Sequence, residues 1–482
     1  MINACKRKVW LLQEIRMAAE MKKRQKKNAK CKRLRRSKKT QPTRELSIPR
    51  VINRKGIYYF NHQISILPRN FTKADLIRKF LPVNLRYLIE TESSPFYSNE
   101  IKKEKYITQG TVLIPQNFSI IDNPQDSYHA LKRIVHGLLY ENTKYLVLDY
   151  QQCNNTELET QALLDLILMD YSKCRKVCQK YKLKGAKFSE LKAENINDKN
   201  LQKMIWSVGS PVNLGIKEID FPETEKFKLK THDGKDGDII NQKDIDTSKL
   251  LDYLMNCLRR MKKEMSPEKI SDMGNVIGET LINAEEHSTL KRRFSIGYFT
   301  EFNENNSHYG LFNLVIMNFG KTIYQKFKSD DCPNKSVVNR MEELSKKYTE
   351  KGFFSIGHIE EECLWTLYAL QEGVTSVSPD EFSKRGNGSI QFIESFFNIK
   401  GSNGKDDVSQ MTLLSGNTNI LFDGTYEIQE KIRDNQRYKM MTFNNSGNIE
   451  EKPDNKYVRH IEHHFPGTIF RAKILINDDD LV

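Results

Sequence analysis

Apolar positions along this chain follow two periods. From Tyr128 to Tyr140 they recur every three or four residues, which predicts a helix. Lys144-Tyr-Leu-Val-Leu-Asp149 is a short apolar run and predicts a buried strand. A polar loop, Tyr150 to Thr156, comes next, and Ala162, Leu163, Leu166, Ile167 and Met169 then mark an amphipathic helix. Helix, strand, loop and helix make a small α/β unit. Ahead of it, residues 46–127 alternate strand-like pieces, Gly56–Phe60 and Gly110–Pro115, with polar turns. Residues 191–247 read as a connector with a hairpin. Lys226-Phe-Lys-Leu-Lys-Thr231 alternates as a strand does, and His232 to Asp238 is turn chemistry.

The second half is patterned differently. Residues 248–290 carry two helical patterns, Leu311 to Met317 a buried strand, and Ile390 to Phe397 a helix. Leu414 to Gly424 predicts a hairpin, with strand Ile420–Phe422 ending in an Asp-Gly turn. Phe465-Pro-Gly-Thr predicts a turn entering a last strand, which runs to Ile476. No apolar run approaches the roughly 20 residues of a membrane span. Val9 to Leu12 runs into Gln13, Glu14 and Arg16, too short an apolar stretch for a secretory signal.

A length of 482 residues implies two or three domains. Charge changes the picture at one end only. Residues 1–50 hold 18 Lys and Arg against 3 Asp and Glu, which is the whole net charge of +15; the remainder holds 59 of each sign. Trp10, Leu11, Ile15, Ala18 and Ala19 form a short apolar stripe, so residues 1–45 read as a helix followed by a disordered basic run, Lys22–Lys39. That run suits a nucleic acid, an acidic protein partner or an anionic membrane surface, and a solubilising tail has the same composition. Eight cysteines are scattered, with only Cys174 and Cys178 close together, as expected of reduced thiols in a cytoplasmic protein.

Chemistry concentrates after residue 270. Glu279, Asn283 and His287 are spaced i, i+4, i+8 and share one helix face. A carboxylate one turn from a carboxamide suits a hydrated metal and a water: the Asn oxygen is a hard Mg²⁺ ligand and the Glu a base. A solvated helix face has the same residues. The strand ending at Met317 runs into Asn318-Phe-Gly320-Lys-Thr322, where a glycine lets backbone approach a ligand. Lys384-Arg385-Gly386-Asn387-Gly388 precedes a helix; glycines there form a phosphate cradle, with charge added by Lys384 and Arg385. His460-Ile-Glu-His-His464 fits no closed zinc spacing and reads as surface histidines. His136, His358 and His460 lack the context of a phospho-acceptor, which sets an autokinase aside.

The order of these motifs, E-x-x-x-N helix, polar-x-Gly turn, glycine loop before a helix, then Gly-Thr and a strand, resembles the GHKL ATPases: gyrase B, histidine kinases, the mismatch-repair ATPases and the anti-sigma serine kinases. The resemblance covers roughly residues 250–476. It implies Glu279 as catalytic base, Asn283 as Mg²⁺ ligand, Asn318 and Gly320 in the adenine pocket, Gly386 and Gly388 in the lid over the phosphates, and Thr468 beside adenine. His287 matches a helix-packing position of the anti-sigma kinases. The family has Asp where this chain has Asn318, which removes charge assistance worth about 1–2 kcal/mol; Thr322 replaces the second glycine of that turn. Residues 128–190 resemble the STAS-like anti-sigma-factor antagonists more weakly, over about sixty residues. Their phosphorylated Ser falls here near Leu158, with Thr156 and Thr160 close but out of register.

The expected fold is therefore α/β of the α+β kind: a basic tail (1–45), a STAS-like α/β domain (46–190), a connector (191–247) and a GHKL-type sandwich with a mixed sheet (248–482). The expected function is an Mg-ATP-binding ATPase whose nucleotide state gates dimerisation or the binding of a protein or nucleic acid, in a setting such as a mobile-element or phage-defence complex. Two rivals stay open: a serine/threonine kinase acting on a STAS-like partner, and a nucleotide-sensing, nucleic-acid-binding scaffold without turnover.

Overall fold

A computed structural model describes residues 83–103, 109–180, 187–234, 239–286, 288–304, 307–349, 358–374, 376, 388–399, 406–433 and 436–477. The basic run Lys22–Lys39, the piece Gly56–Phe60, His287, and Lys384, Arg385, Gly386 and Asn387 lie outside them.

Helices α1 (Val83–Glu90) and α2 (Ser98–Lys103) lead to strands β1 (Thr111–Leu113) and β2 (Asn117–Phe118). Helix α3 (Pro124–Tyr140) opens on a proline, whose fixed φ and missing N–H suit the first turn, and buries Leu131, Ile134, Val135 and Leu138. Strands β3 (Tyr145–Asp149) and β4 (Asn155–Thr156) flank the polar loop ahead of α4 (Leu158–Lys180). Strand β5 (Glu190–Glu194) and helices α5 (Lys199–Val208) and α6 (Ser210–Asn213) complete this half. The Asp198 carboxylate caps α5 by accepting the Leu201 N–H at 2.8 Å. Strands β1, β3 and β5 form a parallel sheet in that order, and β2 pairs with β4, also parallel. Thr156 and Thr160 are buried, so neither offers a hydroxyl to a kinase in this conformation.

The second half starts earlier than its local pattern suggests. Strand β6 (Thr224–Asp233) pairs with β7 (Arg292–Glu304), not with a strand just beyond its own turn. The expected connector hairpin is therefore the edge strand of the main sheet, its partner supplied about sixty residues later. Helices α7 (Ile239–Arg260) and α8 (Pro267–Glu286) lie between the two strands in sequence. Then follow β8 (Ser307–Phe319), α9 (Ile323–Lys328), α10 (Lys335–Thr349), α11 (Glu361–Ala369), α12 (Gly388–Asn398), β9 (Gln410–Phe422), β10 (Gln429–Arg433), β11 (Gln436–Met440) and β12 (Val458–Asn477). The order is β6-β7-β8-β12-β9, with every neighbouring pair antiparallel. The expected mixed sheet is thus antiparallel throughout. Strands β8 and β9 run the same way, but β12 inserts between them and replaces a parallel pair by two antiparallel ones.

Side chains alternate across this sheet with the period of two that a strand imposes. On β8, Phe312, Leu314 and Ile316 join a core with Leu254, Leu258, Ile277 and Leu281 of α7 and α8 and Phe392 and Phe396 of α12. Val315, Met317 and Phe319 are buried on the other face, which α3, α4 and α5 cover. The chain is thus mixed α/β, with its antiparallel sheet held between two helical layers. Fully burying each large apolar side chain contributes about 1.5–3 kcal/mol. No helix among the described residues is long and apolar enough to cross a membrane.

Candidate functional site

Helix α8 buries Met273, Val276, Ile277, Thr280, Leu281 and Ala284. This stripe fixes which way the remaining positions point. Glu279 and Asn283 are left half-buried, one turn apart. Among the described residues neither side chain forms a hydrogen bond or ion pair. Helix α12 packs on α8, which brings Gly388, its first residue, to the same helical layer.

Asn318 closes the end of β8 from below. It is only 1 % exposed. Its Nδ2 donates to the Ala284 carbonyl at 2.5 Å, and its Oδ1 accepts the Thr468 N–H at 3.0 Å. Carboxamide nitrogen and oxygen each bond to the protein's own backbone, so Asn318 ties α8 to β8 and β12. The Ser288 hydroxyl donates to the Phe319 carbonyl at 2.8 Å and adds a second tie. The Gly320 N–H donates to the Pro466 carbonyl at 3.1 Å. Thr468 is buried, with its hydroxyl 3.0 Å from that of Ser415. Thr322, in place of a second glycine, caps α9 in a reciprocal capping box with Gln325.

The expected Gly-Thr turn is a bulge inside one long strand: the pairing of β12 with β9 shifts register at Phe465–Thr468. A Cβ at Gly467 would overlap the Asn318 carbonyl oxygen, a backbone atom that cannot rotate away. Gly467→Ala is expected to destabilise the protein by about 2–3 kcal/mol, read as a lower urea midpoint.

A cavity of about 470 Å³ opens where α8 ends and the Asn318–Thr322 turn leaves the sheet. Its wall includes Glu286, Ser288 and Thr289 at the end of α8, Lys321 of that turn, Lys326 of α9, Ser329, Asp331 and Cys332 just after α9, and Ser376. The volume lies within the range of small-ligand sites. Tyr87 of α1 reaches this edge; burial pushes its phenol up, opposed by a hydrogen bond with Thr289. None of Glu279, Asn283, Asn318, Gly320 and Thr468 lines the cavity. The structure therefore gathers α8, the end of β8 and the β12 bulge, and packs α12 on α8, but gives Asn318 and Thr468 bracing contacts. Sequence reasoning passed over Lys321 and Lys326. Their signal was two lysines within six residues of a polar-x-Gly strand end. His460 is exposed on β12, and His464 Nδ1 lies 2.8 Å from Asn417 Oδ1. Comparisons of the chain with protein-family models, with curated proteins and with solved structures found no match.

Proposed function

We propose that residues 224–477 bind Mg-ATP in the manner of the GHKL ATPases, with Glu279 as base and Asn283 as metal ligand. The observation that carries this reading is the convergence just described. Asn318 bonds to both α8 and β12, so three motifs distant in sequence meet at one end of the sheet, and α12, the helix that the glycine loop precedes, packs on α8. Asn283 fits a metal ligand: its side chain is half-buried and forms no hydrogen bond among the described residues, which leaves its oxygen available to a hard cation. Bound Mg²⁺ would neutralise phosphate oxygens. Glu279, one turn away, would orient the attacking water and take its proton. Gly386 and Gly388, with Asn387 between them, would close over the phosphates and Lys384 and Arg385 would add charge; at the cavity, Lys321 and Lys326 face Glu286 and Asp331. Nucleotide state would then gate homodimerisation, the docking of a protein on the STAS-like half, or the hold of Lys22–Lys39 on a nucleic acid.

A second reading is favoured by one observation. Both groups of the Asn318 carboxamide already bond to backbone within the protein and neither carries charge, so an adenine amino group meets no carboxylate there. On that reading the chain is a scaffold that senses nucleotide weakly or not at all. Thermal unfolding separates the two. Saturation at a hundredfold excess over Kd stabilises a binding protein by about 2.7 kcal/mol, an upward shift of several degrees. A shift with millimolar Mg-ATP, smaller with ADP, is the expected result. No shift with either nucleotide would leave the scaffold.

A further inference from the structure

The face of the main sheet turned away from α7 and α8 carries a buried charge cluster. Arg471, on β12, is 1 % exposed. Its Nη1 lies 2.8 Å from Asp122 Oδ2, 3.8 Å from Glu157 Oε2 and 3.8 Å from Glu159 Oε1. Lys473, two residues on, pairs with Glu157 at 2.8 Å. All three carboxylates come from the first half: Asp122 precedes α3, and Glu157 and Glu159 open α4. Both cations come from β12. Beside Glu159 lie Ser119, Thr160 and Tyr128, which are neutral; Arg471 also donates to Thr412, the His463 ring lies 4.8 Å from that of Tyr128, and Arg459 donates to the Ile121 carbonyl.

Charge counting makes Glu159 the decisive member. Two cations face three carboxylates, so the cluster is neutral only when one carboxyl holds a proton. Asp122 is partly exposed and Glu157 has a lysine of its own, whereas Glu159 is wholly buried and its Oε2 has no hydrogen-bond partner. We propose that this cluster is a proton-gated latch: with Glu159 protonated it holds the Ser119–Thr160 region on the sheet, and loss of that proton loosens the contact. The latch stands whether or not the neighbouring site binds nucleotide. It shares a strand with that site, since Thr468 lies on β12 just ahead of Arg471.

The direction follows from linkage. Burial pushes the Glu159 carboxyl up from 4.5 to about 7, opposed by Arg471 and reinforced by Glu157 and Asp122. A carboxyl that binds its proton more tightly when docked contributes stability fully present below about pH 4.5 and lost as pH rises through about 7. Asp122 and Glu157 act oppositely: burial raises them, but Arg471 and Lys473 bring both below their ordinary values, so their share is lost only in stronger acid.

The test is hydrogen exchange on the full chain over residues 117–123, 157–163 and 469–473, expressed as protection factors so that intrinsic pH effects cancel. Protection should fall about tenfold between about pH 6 and about pH 8 in the wild type, and stay level in Glu159→Gln. Asp122→Asn removes a negative neighbour at a partly exposed position and should move the midpoint to lower pH, which keeps the test open if Glu159→Gln fails to fold. Asp165 is also buried and pushed up to about 7, but is bonded by Ser210, Asn213 and Gln161 away from β12. Asp165→Asn should therefore retain the fall. Protection that is level in the wild type, a fall that survives Glu159→Gln, or one abolished by Asp165→Asn would overturn the latch.

Discussion

Arg471→Met is expected to cost about 3–5 kcal/mol of stability near neutral pH. The substitution keeps an unbranched apolar stem in the strand and deletes only the guanidinium. That group is the cation shared by Asp122, Glu157 and Glu159. Without it, two of the three acids remain inside the protein with Lys473 as their only cation among the described residues. The loss is dominated by stranded negative charge, so it should depend on pH. As pH falls, Glu159 and then Glu157 take up protons and the deficit shrinks. Adding Glu159→Gln should restore part of the lost stability, because the two positions share one network. Urea denaturation of both single variants and the double variant checks this. A deficit below about 1 kcal/mol at neutral pH would show that solvent reaches the cluster and that Arg471 behaves as a surface charge.

That cluster also marks where reading the sequence stopped. In Ile469-Phe-Arg-Ala-Lys-Ile-Leu-Ile476, Arg471 and Lys473 occupy alternate positions of an otherwise apolar strand. Two charges on one face of a buried strand require buried partners, but nothing nearby in sequence identifies Asp122, Glu157 and Glu159, more than three hundred residues away. Pairing between distant segments explains the other misreadings. The turn residues after Thr231 suggested a hairpin, and so did Asp423-Gly424, yet β6 belongs to β7 and β9 to β12. Features set by local period were legible: the helices at Tyr128–Tyr140 and Ile390–Phe397, the strands at Lys144–Asp149 and Leu311–Met317, and the shared face of Glu279 and Asn283. Asn318 lies between these cases. Its place at a strand end was readable, but whether its carboxamide meets a ligand or a neighbouring backbone depends on how α8 and β12 pack.

The largest functional effect should come from α8. Glu279→Gln preserves size and most hydrogen-bonding capacity but removes the base, so ATP turnover should fall by roughly 10²–10⁴-fold while Mg-ATP still stabilises the fold. Asn283→Ala should instead weaken Mg-ATP binding itself, because it deletes the oxygen offered to the metal. Both side chains are half-buried and lack hydrogen bonds among the described residues, so neither change breaks a described hydrogen bond or ion pair of the helix. General damage to α8 would lower binding and turnover alike in both variants. Opposite phenotypes, one retaining the thermal shift without turnover and the other losing the shift, would instead report separate chemical roles one turn apart. Turnover that survives Glu279→Gln would remove that residue from the reaction. An unchanged Mg-ATP shift in Asn283→Ala would remove Asn283 from the metal site, and the cavity beside Lys321 and Lys326 would then be the place to seek the nucleotide.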